Sequence, residues 1–450
     1  MSPIRPLRKY LHKEVAIVDG RMNRRMVGLL AARVPELHLE RVPDPRRAHG
    51  RRWTLRSLLG PVIVGLAAGG RSLREIEQLT AEMSPAARRA LGLQRRTPDT
   101  TMRDLLVQIA PDGLRGRLRG QVRAACRRKA IAADVLPFGV LSMDGKVTAI
   151  EAWGDGLAQR QRYGGEDGAG AGARGLVRTI TSVLISSRAK PVLDACPIAP
   201  ETNEDGQFVQ ALDDVLAAYA RLDLFRMVMY DSGACSLGNA DAIRARHLHY
   251  TFRLDSKQPT LFAEAQRLLG DRGHDEANAV SEERTGRGFV RRYAFITSEM
   301  AAYHGWEHLR TTLRVRSETW SHDGHLLSGE DRYYISSLAA DRLSAKQWIA
   351  LARLRWGVEN QGHHTLDVAF AEDKHPWITA NVKGMVAVLM LRRIAYNLLA
   401  LFRNVTQRSE ANRRTPWKDL KRWVYNALIS ATDAQVAGLR PRAEVAANLD

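Results

Sequence analysis

From Trp53 to about Ala130 the apolar positions recur at three- and four-residue spacing, and polar residues punctuate them as helix ends. Ser72 with Glu75 predicts a capping box, and Ser84-Pro85 places a proline in a first helical turn. Gly92 would end that helix, and Asp99 or Thr100 would cap the next. A longer helix is expected over about 112–129, although glycines at 113, 116 and 120 weaken it. The period then shortens. Residues 140–143, 147–153 and 177–185 read as three successive strands. A helix over about 203–219 would gather Val209, Leu212, Leu216 and Tyr219 on one face. A strand at 225–230, a short helix near 239–246 and a strand at 249–254 follow.

Beyond that block, 289–297, 309–316 and 332–338 are again β-like, which implies a strand-rich insertion at about 258–342. Ser344 with Gln347 starts a helix that can run to Asn360, since no proline interrupts it. Residues 379–402 read as an amphipathic helix closing the core of the strand-bearing domain, and 417–428 as a basic helix before a loosely ordered tail. The apolar run 58–68 is too short to span a bilayer, and 385–402 is broken by Arg392 and Arg393, so both read as buried helices. No membrane role is expected. The basic N-terminus MSPIRPLRKYLHKEV lacks the apolar core of a signal peptide.

Composition adds a partner class. With 68 Lys+Arg against 49 Asp+Glu the net charge is +19 and the sequence pI about 10.3, which points to a polyanion, nucleic acid first. At 450 residues and 45% hydrophobic content the chain can build two or three cored domains and is no disordered basic tail. Cys126, Cys196 and Cys235 are odd in number and widely spaced, which suggests neither a disulfide framework nor a zinc module and fits a reducing cytoplasm. The arginine- and proline-rich residues 1–52 form either a DNA-contacting arm or a solvated linker. The helix over 112–129 carries enough arginine to suit a phosphate backbone.

Three acids carry the candidate chemistry. Gly139-Val-Leu-Ser-Met-Asp144-Gly-Lys146 ends a β-like run in an aspartate, with a glycine behind it where the chain is expected to turn. Phe225-Arg-Met-Val-Met-Tyr-Asp231 does the same. Glu359 has Arg355 four residues before it and His363 four after, so its carboxylate would lie between two cations on one helix face. Each has an ordinary alternative: a turn-forming or capping aspartate, a solvated ion pair. Converged, the three would suit two-metal phosphoryl transfer, in which hard cations about 3.5–4 Å apart take oxygen ligands. The element order βββαβαβ, with one acid on the first strand and another ending the fourth, is that of an RNase H-like domain. The fold class expected is therefore α/β: an RNase H-like mixed sheet flanked by helices, a β-rich insertion before the helix bearing the last acid, and an N-terminal all-helical domain. The corresponding boundaries are 1–52 for the arm, 53–132 for the helical domain, 133–403 for the catalytic domain and 404–450 for the last helix and tail.

Other motifs recede. Gly170-x-Gly172-x-x-Gly175 matches a dinucleotide fingerprint but precedes a strand instead of following one. His363, His364 and Asp367 lack matching metal ligands elsewhere. Trp306 and Trp320, with Arg291 and Arg292, could hold a flipped base or a hairpin end, or simply pack.

The ordered set resembles a family. Asp144-Gly-Lys146, Asp231, Arg-Tyr-Tyr-Ile-Ser-Ser-Leu at 332–338, Arg353-x-Arg-Trp-Gly-Val-Glu359-Asn and Leu366-Asp-Val-x-Phe-x-Glu-Asp373 resemble the DDE transposases of bacterial insertion sequences. Within them the likeness is to the branch that includes the H-repeat-associated proteins. Asn203-Glu204, Lys257-Gln-Pro-Thr-Leu261 and the run 55–106 share it, so it spans most of 50–403. There are departures: His364 stands where the branch has tryptophan, Asp255 where relatives have lysine, and Ala352 and Leu366 at the outer positions of a tyrosine-arginine-glutamate-lysine signature. The resemblance implies Asp144, Asp231 and Glu359 as catalytic metal ligands for two Mg²⁺, with Mn²⁺ as a substitute. It implies Lys146, Lys257, Arg353 and Arg355 on DNA, the partners being terminal inverted repeats and target DNA, engaged by a homodimer on the bacterial nucleoid. A nuclease of the same fold and a retired, DNA-binding copy are the alternatives.

Overall fold

The computed structural model describes residues 20–163, 172–286, 288–357, 365–373 and 375–439. The helices that open the chain are α1 (Gly20–Arg33), α2 (Leu55–Ala67), α3 (Leu73–Glu82), α4 (Pro85–Leu91), α5 (Asp99–Leu106) and α6 (Pro111–Arg127). Strands β1 (Val140–Ile150), β2 (Ala158–Tyr163), β3 (Gly172–Leu184) and β4 (Val192–Pro197) come next. Helix α7 (Glu204–Tyr219), β5 (Met227–Tyr230), α8 (Leu237–Ala245), β6 (His249–Leu254) and α9 (Pro259–Leu269) continue the chain. Four further strands are β7 (Ala279–Thr285), β8 (Gly288–Thr297), β9 (Thr311–Ser321) and β10 (Leu326–Ser336). The chain closes with α10 (Ala345–Gly357), α11 (Val382–Leu401) and α12 (Trp417–Ser430).

These elements sort into two compact units, one of residues 131–146 and 178–363, the other of 1–130, 147–177 and 364–450. The first is the sheet unit. Its strands run β3-β1-β5-β6-β10-β9-β8-β7, with β4 on β3. Pairing is parallel from β1 to β5 and from β5 to β6, and antiparallel between β3 and β4. Parallel pairing requires crossovers, which α7 and α8 supply, and the resulting mixed sheet flanked by helices is RNase H-like. The β-rich insertion is no separate lobe: β10 pairs antiparallel with β6, so β7 to β10 extend the same sheet. Helix α9 packs on β8 and β9, and α10 packs on β7, β8 and β9.

Two expected strands merge. Residues 140–143 and 147–150 belong to one continuous β1, which stops short of the expected end at 153, so the chain does not turn at Gly145, which has no positive φ. The expected strand at 177–185 is the second half of β3, while β2, β4 and β7 add to the strands read from the sequence. Strand β2, AQRQRY, is exposed after its first residue, and β7, AVSEERT, is charged through its middle. Both end the sheet, where polar side chains protect an open edge and erase the apolar alternation.

The helical unit forms around α11, which packs against α2, α5 and α6, while α12 packs on α1. Helix α11 is buried on every side and is not amphipathic as expected. It is long and apolar enough to cross a membrane, but 94% of its apolar window is buried inside the protein. Its two arginines are what a buried helix must neutralise. Arg393 Nη1 bonds Glu372 Oε1 at 2.7 Å with both side chains 0% exposed, and Arg392 Nη1 donates to the Glu372 carbonyl at 3.2 Å. Helix starts follow the sequence: Ser72 and Ser84 accept from Glu75 N and Ala87 N, and Gly92 caps α4 at φ +68°. Asp99 lies in the first turn of α5, behind Pro98 at the cap.

Not all the arginines expected to suit a phosphate backbone are available to one. Arg115 is buried and Arg128 bonds Glu36 at 2.6 Å. The helix survives its glycines partly because Gly113 lies where a Cβ would stand 2.9 Å from Val42, so the residue buys close packing.

Candidate active site

Strand register brings two of the three acids level. In the parallel β1–β5 pair Ser142 stands opposite Met229, and Asp144 and Asp231 each follow by two residues. Neighbouring strands lie about 4.8 Å apart and residues at i and i+2 share a face, so both aspartates point to one side of the sheet, Asp231 just past the end of β5 and Asp144 within β1 and not at a strand end as expected. Asp231 is extended, at φ −75° and ψ 170°, and accepts from Ser232 N at 2.8 Å, which caps the short turn Ser232–Ala234. The capping role and the site position therefore coexist in one residue. Lys146, two residues past Asp144 on the same strand, is 8% exposed.

The groups behind this pair were not foreseen. Glu204 begins α7, where Asn203 caps the helix by accepting from Gly206 N at 2.8 Å. Its carboxylate accepts from the Tyr230 hydroxyl and lies where a side chain on Gly145 would have to go. Burial pushes the Tyr230 phenol far up, and the charges of Glu204, Asp144 and Asp205 add to the shift. Tyr230 is thus a fixed hydrogen-bond donor among acids. Asn239 Nδ2 donates to Asp205 at 2.7 Å and to the Ala234 carbonyl at 3.1 Å, tying α7 and α8 to the Asp231 turn. Asn203-Glu204 is visible in the sequence as a motif, but its contact with Gly145 is not.

The end of β6 adds a mixed pair. At Asp255, just past β6, burial works to raise the carboxyl pKa, but hydrogen bonds from Ser232 and the Lys257 amide, with the charges of Lys257 and Arg253, hold it below its usual value. Lys257 Nζ stands 3.8 Å from where a Cβ on Gly233 would be, which puts the ammonium over the Asp231 turn. The Cys235 thiol is pushed up to about 12 by burial and then by Asp255, so it is no nucleophile.

Arg353 on α10 bonds Glu283 at 2.5 Å. The capping box that starts α10 forms as expected, with Ser344 N donating to Gln347 at 3.0 Å and Gln347 N to Ser344 at 3.3 Å. Glu359, His363 and His364, and the side chain of Arg355, lie outside the described residues. Among the described residues no group of three or more His, Cys, Asp or Glu is arranged to hold a metal. Of the tryptophans, Trp306 packs against Tyr250, with ring centres 6.3 Å apart, and Trp320 stacks on Phe289 at 6.1 Å.

Two family models match the chain. Residues 37–120 match DDE_Tnp_1-associated and residues 175–398 match Transposase DDE domain, together more than half of the sequence. The chain belongs to the DDE transposase family. Families of this kind are DNA-cleaving and DNA-transferring enzymes whose DDE domains generally use divalent metal ions. In this transposase Asp231 and Glu359 fall inside the second match, and Asp144 precedes it. No curated protein sequence matches the transposase. Among solved structures it is similar to a piggyBac transposase synaptic complex with hairpin DNA, at 12% identity and a TM-score of 0.38, over 96% of this chain and 87% of that one.

Proposed function

We propose that this transposase cleaves the ends of an insertion-sequence element and joins them to target DNA by metal-dependent phosphoryl transfer. The observation that carries the reading is the level placement of Asp144 and Asp231 on adjacent parallel strands. Two carboxylates fixed by backbone pairing of neighbouring interior strands offer hard oxygen ligands on one face of the sheet, the donor set that Mg²⁺ prefers. Asp144 and Asp231 would hold the ions together with Glu359, with Mn²⁺ as a substitute. Ions held there would supply activation of water or a 3′-hydroxyl and charge stabilisation for the leaving oxygen.

The chain's own residues do the rest. Asp231 is oriented by its bond from Ser232 N, so its carboxylate does not need to be ordered when the substrate arrives. Lys257, above the Asp231 turn, and Lys146, Arg353 and Arg355 bind phosphates of the substrate strand. Like charges at Asp144 and Asp231 repel, which leaves the metal-free site at higher energy and favours cation entry. The working complex is a homodimer that pairs two inverted-repeat ends in the cytoplasm, on the nucleoid.

The test uses duplexes that carry the sequence flanking the coding region, incubated with Mg²⁺ and full-length protein. Wild type is expected to nick the duplex and to join the cut end to a second DNA. Asp144→Ala, Asp231→Ala and Glu359→Ala should each lower nicking by at least about a thousandfold while the protein still melts cooperatively, because the carboxylates that hold the ions are lost. Nicking that survives Asp231→Ala would sink the assignment, and nicking without joining would leave a nuclease.

A further inference from the structure

The sheet face beneath α10 holds an arrangement of charges that packing does not require. Arg292 on β8 is only 6% exposed, and its Nη1 donates to Glu283 Oε2 at 3.2 Å. Arg353 Nη2, from α10, donates to that same oxygen at 2.5 Å. In the β7–β8 register Ser281 stands opposite Arg292 and Glu283 opposite Val290, so Glu283 and Arg292 share a face. Two guanidinium groups, from a strand and a helix, thus converge on one carboxylate oxygen. Further positive charge surrounds them. Burial and then the charge of Arg353 lower the Arg292 pKa, and Arg332 adds to the repulsion. In the turn between β3 and β4 the Lys190 ammonium is pushed down to about 8, first by burial and then by Arg353.

Both guanidinium groups reach Glu283 through one oxygen, Oε2, so each is held by a single bond and its fork is not used in full. A phosphodiester carries the same single charge as a carboxylate and suits the same guanidinium fork, so a backbone phosphate could take the place of Glu283 between the two arginines. Glu283 is 45% exposed on the edge strand β7, so its side chain can leave without opening the core.

We propose that Arg292 and Arg353 form a seat for a phosphate of the DNA backbone, and that Glu283 occupies the seat until DNA displaces it. The proposal rests on the reading above only in taking DNA as the partner. Arg292 supplies a pre-oriented floor, since its burial fixes the guanidinium, and Arg353 supplies the movable arm. Glu283 then acts as an internal competitor that weakens DNA binding by a set amount.

The experiment measures binding of a fluorescent random-sequence duplex to the full chain by anisotropy, without divalent ions, at about 50–200 mM salt. Glu283→Gln is expected to tighten binding about fivefold at the low-salt end and to steepen the slope of log affinity against log salt by about one phosphate contact. Arg353→Ala should weaken binding, and in that background Glu283→Gln should lose most of its gain. Glu282→Gln is the control. It removes the same charge from the opposite face of β7, where Glu282 bonds Arg291 at 2.8 Å, and should leave affinity within about twofold. Equal tightening by Glu282→Gln and Glu283→Gln would overturn the seat, as would a Glu283→Gln gain undiminished by Arg353→Ala, or no gain at all. Where wild type still nicks DNA in Mg²⁺, such a result removes the seat alone. If wild type binds no duplex, the seat and the transposition reading fall together.

Discussion

Gly145 has neighbours that leave no room for a side chain. The residue sits in mid-strand without a positive φ, so conformational freedom is not its reason for being there. A methyl group would run into the Glu204 carboxylate, which the Tyr230 hydroxyl holds in place. Overpacking of this kind costs about 1–3 kcal/mol. Gly145→Ala should therefore lower the urea midpoint, whereas Glu204→Ala opens the space and should make the same change nearly neutral. The two substitutions share a contact, so their effects are expected not to add. An identical cost of Gly145→Ala in both backgrounds would show that Glu204 is not the obstacle. The sequence alone read Gly145 as a turn, because glycine is the same signal for a turn and for a close approach. Asp231 was more legible, since an acid ending an apolar run marks a strand end whether or not it also caps.

For elements, legibility followed periodicity. Strands β8 and β9 and the second half of β10 were foreseen because β-branched and aromatic residues recur in them, and α7 because Asn203 caps it, although its buried face is Phe208, Ala211, Leu212, Val215 and Tyr219, with the expected Val209 exposed. Edge strands β2 and β7 were hidden by the charges that protect them. Helix α11 was read as amphipathic because hydropathy counts Arg392 and Arg393 as polar, and nothing local says that Glu372 meets Arg393 inside. That meeting has a measurable consequence. Removing one partner of a fully buried pair leaves an uncompensated charge and costs about 3–5 kcal/mol, while replacing both by apolar residues of similar volume costs far less. Glu372→Met should thus lower the stability of the helical unit sharply in guanidinium titrations, and Glu372→Met with Arg393→Met should recover most of the loss. If the double variant is no more stable than Glu372→Met, the buried charge is not what the pair neutralises.

At the scale of the whole chain, the helical unit is discontinuous in sequence, and that discontinuity escapes any reading of local pattern. Register between β1 and β5 is similarly remote: spacing along the chain could nominate Asp144 and Asp231, but only strand pairing brings them level. In the helical unit, α1 to α6 lie before residue 131, whereas α11 and α12, which α1, α2, α5 and α6 pack against, lie after residue 363. Leu58, Met102, Leu105, Leu118 and Val122 are among the side chains that this unit buries completely or nearly so. Exposing such a side chain costs about 1.5–3 kcal/mol, and an entire domain is stable by only about 5–15 kcal/mol. A fragment of residues 20–130 should therefore show helix content by circular dichroism but no cooperative melting transition. Co-expression with residues 365–439 should restore a single sharp transition and a stable complex on gel filtration, because the second fragment supplies the missing helices. A cooperative melt of the isolated 20–130 fragment would mean that the first six helices hold a core of their own, and α11 would then be a cover laid on a finished unit.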